Sequence, residues 1–390
     1  MPQLRPRKII AILMSLVLSA CLDVLPLPSK AQAPFARQLY SYTAEAGTLY
    51  ANGQEIQLHG VNWFGFDTQT HVVQGLWTRS LGSMIDQMQS LGINSVRLPI
   101  CPATLQGVPI SSVDYYANPE LQGLNSRQAL NLLVRDFNIA HIYVVIDQHS
   151  IDCGGGSPLW YTATYTQADW LADLSNIASS YAALPYFLGV DLDNEPYGAT
   201  WGTGNPATDW KLAAAAGGDA VLTADPRALV FVQGVFTNPT CTSPIDGNWG
   251  EDVAPAACYP LALPSGKYVL SPHVFGSDLA LLDYYATANF PANLPAAWNA
   301  EFSSVLAAGD TLVIGEWGGK MGTDGGTSQD LTIQEALTTW LAQHTVCNSF
   351  YWSWGPNSND TGGLLESDWQ TAWPVKQAVL QHYYAACSSH

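Results

Sequence analysis

From about residue 50 onward, short apolar runs alternate with stretches whose apolar residues recur at helical spacing, and few folds accommodate that alternation. Candidate strands are IQLHGVNWFG (56–65), NSVRLPI (94–100), IYVVID (142–147), YFLGVDLD (186–193), ALVFVQG (228–234), KYVLSPH (267–273), TLVIGE (311–316) and SFYWSW (349–354). Segments such as TRSLGSMIDQMQSLG, SRQALNLLVRDFNIA, DWKLAAAAGGDAVLTA and SQDLTIQEALTTWLAQH separate them and suit amphipathic helices. The pattern predicts an α/β chain with a parallel sheet and helices outside it. Eight such units in roughly 330 residues fit a (β/α)8 TIM barrel, a single domain whose reactive groups sit where strands end and loops begin. An open doubly wound sheet is disfavoured, because no GxGxxG or Walker-type loop follows the first strand.

The 390 residues, 47% of them hydrophobic, can bury a large core. Acids outnumber bases 32 to 14 and the net charge is −18, so nucleic acid and anionic membranes would be repelled. The leader MPQLRPRKIIAILMSLVLSACL sets Arg5, Arg7 and Lys8 before an apolar run, Ile9 to Ala20, that is too short to span a bilayer. It reads as an export signal. Leu18-Ser19-Ala20-Cys21 resembles a bacterial lipobox that would lipidate Cys21, whereas Ser29-Lys30-Ala31 suits ordinary signal cleavage. The expected organisation is a leader over 1–31, an N-terminal extension over 32–47 and the barrel over 48–388. Secretion to the periplasm or medium is expected, with a lipid anchor at Cys21 as the alternative.

Six further cysteines, Cys101, Cys153, Cys241, Cys258, Cys347 and Cys387, form an even set in an oxidising compartment, which reads as disulfides. No zinc-type CxxC pair occurs. Fifteen pairings are open to six cysteines. Residues 238–262 make a long Pro/Gly-rich excursion that Cys241 and Cys258 could staple.

In this register, polar residues collect at strand ends: Arg97, His149, Asn194, Glu195, His273 and Glu316. All would face one rim. Pro196 is expected to bias Glu195 towards an extended backbone. The fourth and seventh strands are not adjacent, so Glu195 and Glu316 would face each other across the barrel mouth. Two carboxyl groups about 5 Å apart are the equipment of a retaining glycosidase. A lone strand-end glutamate is more often a structural ion-pair partner; here bases are scarce, and only Lys320 is close in sequence to Glu316.

The blocks LHGVNWFGFDT, INSVRLPI, VVIDQHSIDCGG, DLDNEPYGATWG, SPHVFG, VIGEWGG and YWSWGPNSNDTGGLL resemble, in order, those of glycoside hydrolase family 5, especially its bacterial endoglucanases. The likeness runs over about residues 48 to 385. It implies Glu195 as acid/base, Glu316 as nucleophile, and Asn194 as a hydrogen-bond partner of the sugar 2-hydroxyl. It also implies Arg97 beside the nucleophile, His149 and His273 along the cleavage site, and a cis peptide after Trp352. Flat rings must accompany hydrogen bonds in a glycan cleft. Trp352 matches the family's sugar platform, and Trp77 and Trp249 lie in segments resembling outer subsites. The resemblance implies no cofactor and no metal, and no HExxH or dense carboxylate cluster appears.

The chain departs from that family in places. Phe275 stands where many members carry a tyrosine that hydrogen-bonds the nucleophile, so that donor is missing. Asp193 replaces a frequent histidine and is expected to turn away from the nucleophile, and Gln233 replaces a frequent glutamate. Adjacent strand tips favour pairing Cys101 with Cys153, and the remaining expected pairs are Cys241 with Cys258 and Cys347 with Cys387. The expected activity is retaining endo-β-1,4-glucan hydrolysis by a monomer acting on a β-glucan. Mannan, xyloglucan or mixed-linkage glucan are alternatives, as is a glycan-binding protein with impaired catalysis.

Overall fold

A computed structural model describes residues 38–388 apart from Asp246; the leader, with Cys21, lies outside the described residues. Three short antiparallel strands come first: β1 (Tyr42–Glu45), β2 (Thr48–Ala51) and β3 (Gln54–Ile56). The first of them falls in the stretch expected as an extension. Nine parallel strands follow: β4 (His59–Asn62), β5 (Ser95–Ile100), β6 (Tyr143–Gln148), β7 (Phe187–Asp191), β8 (Leu229–Val232), β9 (Tyr268–Leu270), β10 (His273–Phe275), β11 (Ile314–Gly318) and β12 (Ser349–Tyr351). They pair in the order β10-β11-β12-β4-β5-β6-β7-β8-β9.

β9 and β10 are two halves of the sixth barrel strand. The run 267–273 reads as one strand in the sequence but breaks at Ser271 and Pro272. Proline has no N–H for the ladder. The break does not open the ring, since the Val313 N–H donates to the Leu270 carbonyl and the Gly315 N–H to that of Pro272. Counted this way, the nine strands make the eight of a (β/α)8 barrel.

The first outer helices are α1 (Leu81–Ser90) and α2 (Pro102–Gln106), and capping residues set where the next two begin. Asn125 and Gln128 make a reciprocal capping box on α3 (Ser126–Ile139), and Thr166 and Asp169 make one on α4 (Gln167–Tyr181). Helices α5 (Trp210–Ala224), α6 (Pro255–Cys258), α7 (Leu294–Ala308), α8 (Ser328–Gln343) and α9 (Pro374–Cys387) follow on the later strands. Two apolar layers result. One lies between strands and helices. The other fills the lower barrel with Val145, Leu188, Phe231, Val269, Val313 and Phe350, and Tyr42, Leu49 and Leu58 from the small sheet and its exit join it. With that end filled by side chains, only the C-terminal ends of the strands remain to carry polar chemistry.

Disulfides join Cys101 to Cys153, Cys241 to Cys258 and Cys347 to Cys387. The first links the end of β5 to the loop after β6, and the last ties the approach to β12 to the final turn of α9.

Candidate active site

Arg97 is the centre of the rim. Its guanidinium is fully buried on β5 and donates from all three nitrogens: Nε to Asp191 at 2.9 Å, Nη1 to Asn62 at 2.9 Å and to Glu316 at 2.6 Å, and Nη2 to Asn194 at 2.9 Å. Asp147 Oδ1 lies 2.9 Å from Nη2. A planar fork with five N–H groups suits such a site, whereas an ammonium could not reach so many partners at once. Strand register brings the partners together, because Asn62 pairs with Arg97, Asp147 with Asp191, and His273 with Glu316.

Glu195 and Glu316 both reach His273. Nδ1 of that histidine is 2.8 Å from Glu195 Oε1 and 3.5 Å from Glu316 Oε2, and one oxygen of each carboxyl and a ring nitrogen all fall within 4.8 Å of one another. The environments of the two acids differ. Burial raises the Glu316 carboxyl to about 7, against the pull of Arg97 and His149. Burial raises Glu195 well above the usual carboxylate range, and the Glu316 charge raises it further. Glu316 is bonded directly to a guanidinium and Glu195 is not, so of the pair Glu195 keeps its proton more readily. His273 is held neutral by burial and by the nearby charges of Arg97 and His149. His149 shows the opposite behaviour: burial disfavours its charge, yet Asp147, bonded to Nδ1 at 2.6 Å, lifts it to about 9.

The backbone at Glu195 departs from the extended form expected before Pro196. Its φ is +49°, in the left-handed region that non-glycine residues seldom occupy. Local bonds hold it there: the Glu195 N–H donates to Gln233 Oε1 at 2.8 Å, and the Tyr197 N–H to the Glu195 carbonyl at 2.6 Å. Gln233 also donates from Nε2 to Asp191 and Asn194. Asn194 Oδ1 thus accepts from Arg97 and Gln233 together, which leaves its NH2 group for the cleft.

A cavity of about 310 Å³ opens over these groups, lined by His149, Asn194, Glu195, Asn248, Trp249, Phe275, Leu279, Glu316, Trp352 and Asp360. Trp352 is among the rings that line it. The indole lies parallel to Phe64 and His149, with centroids 5.6 and 5.5 Å away, and Nε1 donates to Ser358. The Trp352–Ser353 peptide is cis. Trp249 is 40% exposed and stacks on Tyr197 at 4.2 Å. Trp77 does not line this cavity; it is 41% exposed and packs edge-on against Trp369. Phe275 presents its ring to the cavity, and its carbonyl accepts from the Tyr285 hydroxyl.

Asn62, Asp147, Asp191 and Asp360 join the site without having stood out as candidates in the sequence. Asp147 and Asp191 carried a signal, since each is an acid inside an otherwise apolar strand. Gln233 drew notice only as a departure, although it holds the Glu195 backbone. Asn62 and Asp360 gave no comparable sign.

Among proteins of known type, the family model described as cellulase (glycosyl hydrolase family 5) matches residues 49–358. The major extracellular endoglucanase of Xanthomonas campestris pv. campestris is 47% identical over 88% of this chain and 70% of its own length. An endoglucanase of Paenibacillus polymyxa is 35% identical over 87% of this chain and 86% of its own. The solved catalytic domain of the Xanthomonas endoglucanase superposes with a TM-score of 0.85 at 45% identity, covering 88% of this chain and 99% of that one. A variant endocellulase from Pyrococcus horikoshii in complex with cellotetraose superposes with a TM-score of 0.86 at 39% identity, covering 89% of this chain and 99% of that one. With eight barrel strands, a matching family model over most of its length and relatives this similar, the chain belongs to glycoside hydrolase family 5.

Proposed function

We propose that this protein is a retaining endo-β-1,4-glucanase in which Glu316 attacks the anomeric carbon and Glu195 serves first as acid and then as base. The observation that carries the proposal is the pair of carboxyls within 4.8 Å, only one of them bonded to a guanidinium. That spacing suits double displacement, because inversion needs room for a water between the two acids. Arg97 keeps Glu316 ionised for attack, and Glu195 retains the proton that the leaving oxygen needs. In the second step Glu195 takes a proton from water while the glycosyl–Glu316 bond breaks.

Other side chains bind and orient. The NH2 of Asn194 is free to meet a 2-hydroxyl, Trp352 offers a flat face to the pyranose, and Trp249 with Tyr197 flanks the acid/base. Trp77 would serve an outer part of the same chain. Endoglucanase relatives favour a β-1,4-glucan over mannan, xyloglucan or mixed-linkage glucan, since 47% identity extends along most of the chain. The extracellular relative and the basic-apolar leader favour export, and no helix among the described residues is long and apolar enough to cross a membrane. A monomeric hydrolase domain over 48–388 completes the reading.

Reducing-end release and viscosity loss, measured together on a panel of soluble β-glucans and mannans, test the proposal. Rapid viscosity loss on β-1,4-glucan that Glu316→Gln abolishes is expected. Phe275 favours a second reading, a glycan-binding protein with impaired catalysis, and binding without release would support it. The Glu195–His273–Glu316 cluster is compact enough to hold a cation, so activity lost to a chelator and restored by metal would overturn the acid/base account.

A further inference from the structure

Behind the cleft wall that carries Asn248 and Trp249 lie two acids that the proposed chemistry does not use. Glu251 ends the tight turn of that wall: its N–H donates to the Asn248 carbonyl at 3.2 Å, and its Oε2 accepts the Asn248 N–H at 2.5 Å. Between them, Gly250 lies against the acid/base, where a Cβ would sit 3.2 Å from Glu195 Cγ and 3.0 Å from Gln233 Oε1. Its φ of +72° allows that approach. The position of this turn therefore sets both the cleft wall and the packing on Glu195.

Glu301 reaches the same loop from α7. Its Oε2 accepts from the Ser243 hydroxyl, and the Ser243 N–H donates to Asp252, the neighbour of Glu251. Both glutamates are almost wholly buried, and each leaves Oε1 without a hydrogen-bond partner. The titratable groups around them are Asp252 on the loop and Tyr284 and Tyr285 on the short helical turn Asp283–Ala286. Among the described residues, no Lys, Arg or His forms an ion pair with Glu251, Asp252 or Glu301. Two ionised carboxylates without a cation would be untenable in such a place. A proton on the pair removes the repulsion and supplies a donor where the orphaned oxygens have none.

We propose that Glu251 and Glu301 are positioning residues that work as a protonated carboxyl pair, holding the Asn248–Gly250 turn in place as a wall of the cleft. The inference rests on the glucanase reading, because the wall matters only to a bound glycan. Burial raises Glu251 to about 8 and raises Glu301 well above the carboxylate range, where the Glu251 charge adds to the shift. The ordered wall thus binds its proton more tightly than a displaced one, whose acids titrate at ordinary values near 4.5. Its order is greatest in acid and declines as pH rises from there towards 8.

The test compares KM for cellohexaose at about pH 5 and about pH 8 in the wild-type enzyme, Glu251→Gln and Glu301→Gln. A glutamine keeps an acceptor for the N–H or hydroxyl that its glutamate serves, and it has no proton to lose. The wild-type KM should rise about fivefold to tenfold between the two pH values, and the rise should shrink to less than about twofold in either variant. A purely structural role would lower melting temperature without changing that ratio. An equal ratio in all three proteins would overturn the proposal. Wild-type hydrolysis of cellohexaose at about pH 5 reports separately on the glucanase reading, and if one variant does not fold the other still decides.

Discussion

Arg97 Nη1 lies 2.6 Å from Glu316 Oε1, a contact between β5 and β11 across the barrel mouth. That guanidinium also binds Asn62, Asp191, Asn194 and Asp147, so one side chain fixes the nucleophile's charge and its geometry together. Arg97→Lys keeps the charge and loses the fork. We expect kcat/KM to fall by about 100-fold or more, with the acid limb of the pH profile displaced upward as Glu316 becomes harder to ionise. A profile that keeps its acid limb in place would show that Arg97 does not tune Glu316.

The active form pairs ionised Glu316 with protonated Glu195. Activity should rise as Glu316, pushed up to about 7, loses its proton, and fall only when Glu195, held higher by burial and by the Glu316 charge, loses its own. In Glu195→Gln the alkaline limb should vanish, and activity on substrates with good leaving groups should survive better than on cellooligosaccharides. Stopped-assay profiles from pH 4 to 10 check this, and an alkaline limb retained in the variant would remove Glu195 from the acid role.

Phe275 leaves Glu316 without a phenolic donor from that position. A hydrogen bond to a charged group contributes about 1.5 to 3 kcal/mol, so Phe275→Tyr should speed glycosyl-enzyme formation by roughly tenfold to a hundredfold if the hydroxyl reaches Glu316. Pre-steady-state bursts with an activated aryl cellobioside measure that step. An unchanged or slower burst would mean that the site works without the missing hydroxyl.

The disulfide between Cys347 and Cys387 spans 40 residues and anchors the last helix next to β12. Replacing both cysteines by serine frees that loop in the unfolded chain and should lower stability by about 2 to 4 kcal/mol. Calorimetry under non-reducing conditions checks it, and the variant should keep its KM, because neither cysteine lines the cleft.

Much of this arrangement could be read from the chain because an acid or histidine at the end of an apolar strand is conspicuous. Glu195, Glu316, His149 and His273 announced themselves that way. The network that positions them was harder to see. Asn62 and Gln233 are ordinary amides until register sets them beside Arg97 and Glu195, and Asp147 and Asp191 matter because neighbouring strands place them opposite one guanidinium. The left-handed backbone at Glu195 escaped a local rule about proline, since it depends on Gln233, which lies just past the end of β8. Pro272 did mark the interrupted sixth strand, although an apolar run across it read as continuous. Trp77, expected at an outer subsite, is half exposed beside Trp369 and outside the central cavity, a position that its sequence neighbours alone do not fix.

The spacing of Glu195 and Glu316 makes a stereochemical prediction that depends on no substitution. Proton NMR of cellohexaose digested by the wild-type enzyme, recorded before mutarotation, reads the configuration of the newly released reducing end. The β anomer should appear first and the α anomer should follow only as the product equilibrates. An initial excess of the α anomer would mean inversion and would contradict double displacement through Glu316.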